Sequence, residues 1–246
     1  MGAVDEFGLQ EESDGGHPVS GGCPMAEPHV SETRKAMERA IHVERLALAQ
    51  DLAELSEAQW AKASLCERWT VEEVVAHLTA GASTRMWRWL LSMLAARFDP
   101  NLHNDRRLAM HRGATPEETL RRFREVVAGP PGPTGHTAAW LGEVVVHSED
   151  IRRPLGLVRT PPVATTTAVA RFFASRDFTV ASNTAIAGLR VEATDGPFTT
   201  GSGDLLRGPT LSLVMGMAGR PAACEDLEGD GAAILRVRLR SGQRTS

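Results

Sequence analysis

The 246-residue sequence has few cysteines, almost no lysine and no long apolar run, and each scarcity closes off a class of protein. Cys23, Cys66 and Cys224 lie far apart and form no CxxC pair. An odd, scattered set of this kind fits a reducing compartment better than a disulfide scaffold. No stretch approaches the roughly 20 apolar residues that a spanning helix needs; TAIAGLRVEA and LSLVMGMAG are both too short. The acidic start, MGAVDEFGLQEESDGG, lacks the basic region and apolar run of a secretory signal, so a cytoplasmic location is expected. Lys35 and Lys62 are the only lysines. The 27 basic side chains are therefore nearly all arginine, and against 31 acidic ones they leave a net charge of −4. That balance offers no bulk attraction to nucleic acid or an anionic membrane, although a local arginine pocket can still hold a small anion.

The length suits one large or two modest domains, each able to bury a core without staples. Residues 1–28 are rich in Gly, Glu, Asp and Ser and carry no apolar period, which reads as a flexible tail. A helical pattern starts at Ser31, with Met37, Ile41, Leu48, Leu52 and Leu55 on one side. Thr70 and Glu73 announce a second helix through a capping box, with Val71, Val74, Val75 and Leu78 on its apolar face and a continuation through much of residues 81–94. A third begins at T-P-E-E, where Thr115 caps and Pro116 takes the first helical position; Leu120, Phe123 and Val127 form its stripe. HTAAWLGEVVVHSEDIRR reads as a fourth, ending before Pro154.

Four amphipathic helices argue for a bundle over residues 29–158, and the Pro161–Pro162 pair marks a boundary. Beyond it, a second domain over residues 165–246 mixes helices, in VATTTAVARFFASRDF and PTLSLVMGMAG, with strands. GLRVEATD and AAILRVRLR alternate as strands do, the latter with Leu235, Val237 and Leu239 on one side and Arg236, Arg238 and Arg240 on the other. The expected fold class is α+β: an N-terminal helical bundle followed by a small α/β domain.

The chemically informative residues are His77 on the second helix and Glu143 and His147 on the fourth. Glu143 and His147 are four apart and share a helical face. Packing that brings His77 across from them makes a set of two imidazoles and one carboxylate, which leaves a fourth metal position open, as in catalytic zinc sites. The same residues also read as a core histidine beside an i,i+4 pair. His136, seven residues before Glu143, is a candidate for the pocket wall, and Trp69, Trp87, Trp89 and Trp140 suit core or wall positions.

WTVEEVVAHLTAG followed by GEVVVHSEDIRRPLG resembles the mycothiol-dependent maleylpyruvate isomerase family, a part of the DinB-like group of metal-binding helical bundles. The likeness continues through GLRVEATD, GSGDLLRGP and AGRPAACEDLEGDG, and so covers nearly everything after about residue 30. It implies a DinB-like four-helix bundle with a sterol-carrier-like C-terminal domain. It also implies that His77, Glu143 and His147 hold a divalent metal, most often zinc, and that mycothiol serves as thiol cosubstrate. Arg220, in AGRPA, matches a family arginine expected to reach the active site in a catalytic role; an interdomain ion pair is the plainer alternative. Asp150 recurs in the same motif. It is suited to hydrogen-bond the second nitrogen of a ligand histidine, and equally to end the helix or pair with Arg153.

The function implied is isomerisation or thiol transfer on a small electrophilic, anionic substrate. A metal at such a site favours deprotonation of a thiol or water in the fourth position. A metal-dependent hydrolase and a noncatalytic ligand-binding or regulatory protein remain as alternatives, since fold and metal alone do not establish catalysis. No nucleic-acid or membrane partner is expected, and oligomeric state is left open.

Overall fold

The computed structural model describes residues 27–66, 68–83, 100–132, 135–178 and 180–242. The N-terminal tail, Cys23, Trp87, Trp89 and the expected helical continuation through residue 94 lie wholly or largely outside them.

Helix α1 (Glu27–Ala53) places Ile41, Leu48 and Leu52 in the core and Met37 at the core's edge, where Leu55, expected on the same helix, packs from just beyond its end. After the single turn α2 (Glu57–Trp60), α3 (Val71–Ser83) starts at the expected capping box. The Thr70 N–H donates to Glu73 Oε2 at 2.8 Å, and the Glu73 N–H donates back to Thr70 Oγ1 at 3.3 Å. Such a cap is worth about 1 kcal/mol and fixes which residues of α3 face inward. Val71, Val74, Val75 and Leu78 do so.

Helix α4 (Pro100–His111) was not foreseen from the sequence, because PNLHNDRRLAMH carries too few apolar residues to draw a stripe. It packs on α3, as does α5 (Pro116–Val126), which Thr115 caps by accepting the Glu118 N–H at 3.3 Å. Helix α6 (Thr137–Leu155) packs against both α1 and α3.

The expected stop before Pro154 is corrected, since α6 runs through Pro154 to Leu155. Proline cannot supply the N–H that the Asp150 carbonyl would normally receive. The Leu65 N–H supplies it instead at 3.0 Å, docking the 61–70 loop onto α6. Gly156 then closes the helix in the left-handed conformation (φ 71°), with the Leu157 N–H on the Arg152 carbonyl.

The remaining chain adds α7 (Val163–Ser175), which packs on α6, the short α8 (Ser182–Ala185), and a three-stranded sheet. Its strands are β1 (Leu189–Ala193), β2 (Thr199–Thr200) and β3 (Asp204–Gly208), in order β2-β1-β3. β1 runs antiparallel to β2 and parallel to β3, with Val191 opposite both Thr200 and Leu206. Helix α9 (Thr210–Met217) and a 3₁₀ turn (Pro221–Asp226) follow, then α10 (Asp230–Gly242).

The last of these overturns the strand reading of AAILRVRLR. Ala232, Leu235 and Leu239 recur at three and four and pack inward, whereas Val237 is 65 % exposed, so the alternation was coincidental. Arg236 and Arg238 do not line a free face either: they donate to the carbonyls of Cys224 and Ala185. The architecture is α+β, a helical N-terminal region with a small mixed C-terminal part. One connected core runs from Ile41 through Phe123, Leu141 and Phe173 to Leu206 and Leu235. Among the described residues, no helix is long and apolar enough to cross a membrane.

Candidate metal centre

Helices α3 and α6 carry the polar seam. Glu143 and His147, one turn apart on α6, face His77 of α3. One donor atom from each of the three lies within 4.8 Å of the others. His77 Nε2 is 2.6 Å from Glu143 Oε1, and His147 Nε2 is 3.5 Å from the same oxygen. The side chains of His77 and Glu143 retain 15 % and 24 % exposure, so the cluster has an open side. His136 does not join it; the ring packs on Phe178 with centroids 5.0 Å apart.

The second nitrogen of His147 is committed. Nδ1 lies 2.9 Å from Asp150 Oδ2, an i,i+3 contact with a fully buried carboxylate. Arg220 holds that carboxylate with two parallel bonds, Nε to Oδ1 at 3.0 Å and Nη2 to Oδ2 at 2.6 Å. Arg153, the other expected partner of Asp150, instead pairs with Asp226 and donates to the Ala222 carbonyl at 2.9 Å. Arg220 thus does reach the cluster, and it does so through Asp150.

One wall of the cluster is set by local folding. The 61–70 loop, anchored by the Leu65–Asp150 bond, brings the Trp69 ring against His77 at a centroid distance of 4.7 Å and against His147 at 6.4 Å. It also brings Cys66 into a group with His147 and Asp150 whose donor atoms lie within 4.8 Å of one another. Trp140, one turn before Glu143, lies between Gly81 and Gly132. A Cβ on Gly132 would sit 2.2 Å from the indole, so only glycine admits the ring there. Beyond Trp69 opens a cleft of about 660 Å³ lined by Arg68, Trp69, Glu73, Leu108 and Arg112.

The electrostatics follow from the pairing. Burial alone would raise Glu143, but the charge of His147 and hydrogen bonds from both histidines outweigh it and hold the carboxyl well below its usual range. Burial would lower His147, yet Glu143 and Asp150 overcome it and push the imidazole up to about 9. Asp150 stays low despite burial because His147 and Arg220 both bond it. Burial pushes the Cys66 thiol up to about 11, the nearby Arg220 charge notwithstanding, so it is no ready nucleophile.

The donor set suits a divalent ion. Tetrahedral coordination with bonds near 2.0–2.1 Å puts ligand atoms roughly 3.3 Å apart, close to the 3.5 Å between Glu143 Oε1 and His147 Nε2. The shorter His77–Glu143 contact is a hydrogen bond that an ion between them would replace. With Nδ1 of His147 turned to Asp150, Nε2 is the nitrogen presented to the cluster.

Two histidines and a carboxylate converging between helices form a potential metal-binding cluster in an α+β chain. Comparison with known proteins narrows the likeness. Residues 41–129 match the model of the mycothiol maleylpyruvate isomerase N-terminal domain, a span that includes His77 and ends before Glu143. Two crystal structures share the fold, that of the mycothiol-dependent maleylpyruvate isomerase and that of its histidine-to-alanine mutant. Each gives a TM-score of 0.57 at 16% identity, covering 81% of this chain and 93% of that one. No curated protein sequence matches.

Proposed function

We propose that this chain is a metal-dependent, mycothiol-using isomerase or thiol transferase for a small electrophilic substrate. The observation that carries the reading is the convergence of His77, Glu143 and His147, with the back of His147 held by Asp150. The N-terminal family match and the shared fold support it. Two imidazoles and one carboxylate favour zinc and leave one position for an exchangeable group.

Zinc held by these residues would lower the pKa of a thiol offered to it and so supply a nucleophile near neutral pH. The protein's own contribution is placement. Trp69 packs against His77 with the rings tilted by 37°, which limits where that imidazole can move. The cleft that Trp69 borders is the proposed entry. Reversible addition of the thiol to an activated double bond permits rotation and elimination, giving isomerisation. Retention of the adduct gives thiol transfer.

The test uses purified protein, with metal content measured by mass spectrometry and turnover followed across a panel of electrophiles with and without mycothiol. About one zinc per chain and thiol-dependent product formation are expected. Turnover independent of any thiol would instead assign a hydrolase, and ligand binding without turnover across the panel would assign a noncatalytic role.

A further inference from the structure

We infer that Arg220 is a positioning residue: by clamping Asp150 it sets the orientation of His147 and hence the affinity and geometry of the metal site. This rests on the metal-site reading above. Asp150 has no exposed surface, and the contacts of its two carboxylate oxygens serve one arrangement. Oδ2 receives His147 Nδ1 at 2.9 Å and Arg220 Nη2 at 2.6 Å, while Oδ1 receives Arg220 Nε at 3.0 Å. A two-bond guanidinium fork fixes the plane of a carboxylate as a single bond cannot. With that plane fixed, Oδ2 has one position and the imidazole has one preferred rotation.

The guanidinium is itself held, since Nη1 donates to the Ala218 carbonyl at 2.6 Å and the side chain is only 15 % exposed. Three of its five N–H groups are thereby used within the protein.

The clamp comes from 70 residues along the chain, on the segment between α9 and the 3₁₀ turn. The 3₁₀ turn that directly follows has its own attachment to α6, through Arg153 to the Ala222 carbonyl and Asp226. Only the Arg220 attachment leads to His147. The two arginines therefore separate a role in orienting the ligand from a role in docking the segment.

The experiment compares wild type, Arg220→Ala, Arg220→Lys, Asp150→Asn and Arg153→Ala, all as full-length chains. It measures zinc affinity by chelator competition and the visible absorption of the Co²⁺-loaded proteins. Loss of the clamp is expected to weaken zinc binding about 10–100-fold, the usual cost of losing an outer partner of a ligand. It should also change the Co²⁺ spectrum.

Lysine, which keeps the charge and loses the fork, should fall between wild type and alanine. Arg153→Ala should match wild type in both readouts. Should Arg220→Ala fail to fold, Asp150→Asn carries the same expectation. Unchanged affinity and spectrum in Arg220→Ala, with only a raised KM, would overturn the inference in favour of direct substrate binding. Equal losses in Arg153→Ala would reduce it to segment docking. Wild type that binds no metal would overturn the underlying metal-site reading, a result visible before any variant is made.

Discussion

On one side of helix α6, Glu143, His147 and Asp150 meet His77 and Arg220 in a chain whose contacts run from one ring to the next. About half a turn round the same helix, Glu149 and Arg152 face α1. There Arg152 Nε donates to Asp51 at 2.7 Å, and nearby Arg159 grips Glu44 through two bonds. Both sides bury charge, yet their accounting differs. On the His77 side three potential ligands converge at an open face, and the remaining groups support them. On the α1 side Glu149 Oε1 and Arg152 Nη2 are buried without a hydrogen-bond partner among the described residues. Convergent, oriented donors point to a ligand, whereas charge pairs with orphaned atoms point to packing that tolerates a cost.

Removing His77 or His147 is the most severe way to break this contrast. Either His77→Ala or His147→Ala takes away one of three converging donors and should lower zinc affinity by more than about 100-fold, beyond the range for an outer partner. Inductively coupled plasma analysis of dialysed protein reads this directly. Stoichiometric zinc in both variants would place the cluster in the same structural category as the α1 side.

Asp51→Ala probes the other side and should have the opposite signature. Arg152 is 1 % exposed, so losing its partner leaves a buried guanidinium with a missing bond. Breaking a buried pair costs about 3–5 kcal/mol; Asp51 is partly exposed, which lets water compensate, and about 2 kcal/mol is expected. Urea unfolding measures the loss, and zinc stoichiometry should stay at the wild-type value. Metal loss without destabilisation would mean that the two sides of α6 are not independent.

The α6 side facing His77 was far more legible in the sequence than its surroundings. The i,i+4 spacing of Glu143 and His147 and the capping box at Thr70 are local signals, and local geometry delivers them. What lies around them depends on chain segments that meet only in three dimensions. Nothing near Asp150 announces that Leu65 will fill the bond Pro154 leaves open, and Arg220, 70 residues away, is expected near the site only through the family resemblance. Pro154 read as a stop because a missing donor usually is one; here another segment supplied it. The strand reading of residues 232–240 failed because alternating leucine and valine also fit a helix when one of them faces solvent. Helix α4 escaped because its polar sequence has no stripe to detect.

Glu149 offers the mildest and most selective test, because its cost depends on pH. Burial raises its carboxyl from 4.5 to about 7, with Arg152 and Arg153 only partly opposing. The folded chain therefore keeps a proton that the unfolded chain has already released above about 4.5. Stability from this group must fall as pH rises from there through about 7 and stay flat above, the reverse of an ordinary paired carboxylate. Glu149→Gln keeps the shape and removes the charge. Its urea stability should match wild type near pH 4 and exceed it by roughly 1–2 kcal/mol at pH 8. Zinc affinity should not change, since the side chain points away from His77. A variant no more stable than wild type at pH 8 would mean that the orphaned oxygen is solvated in solution. The difference in cost between the two sides of α6 would then rest on Arg152 alone.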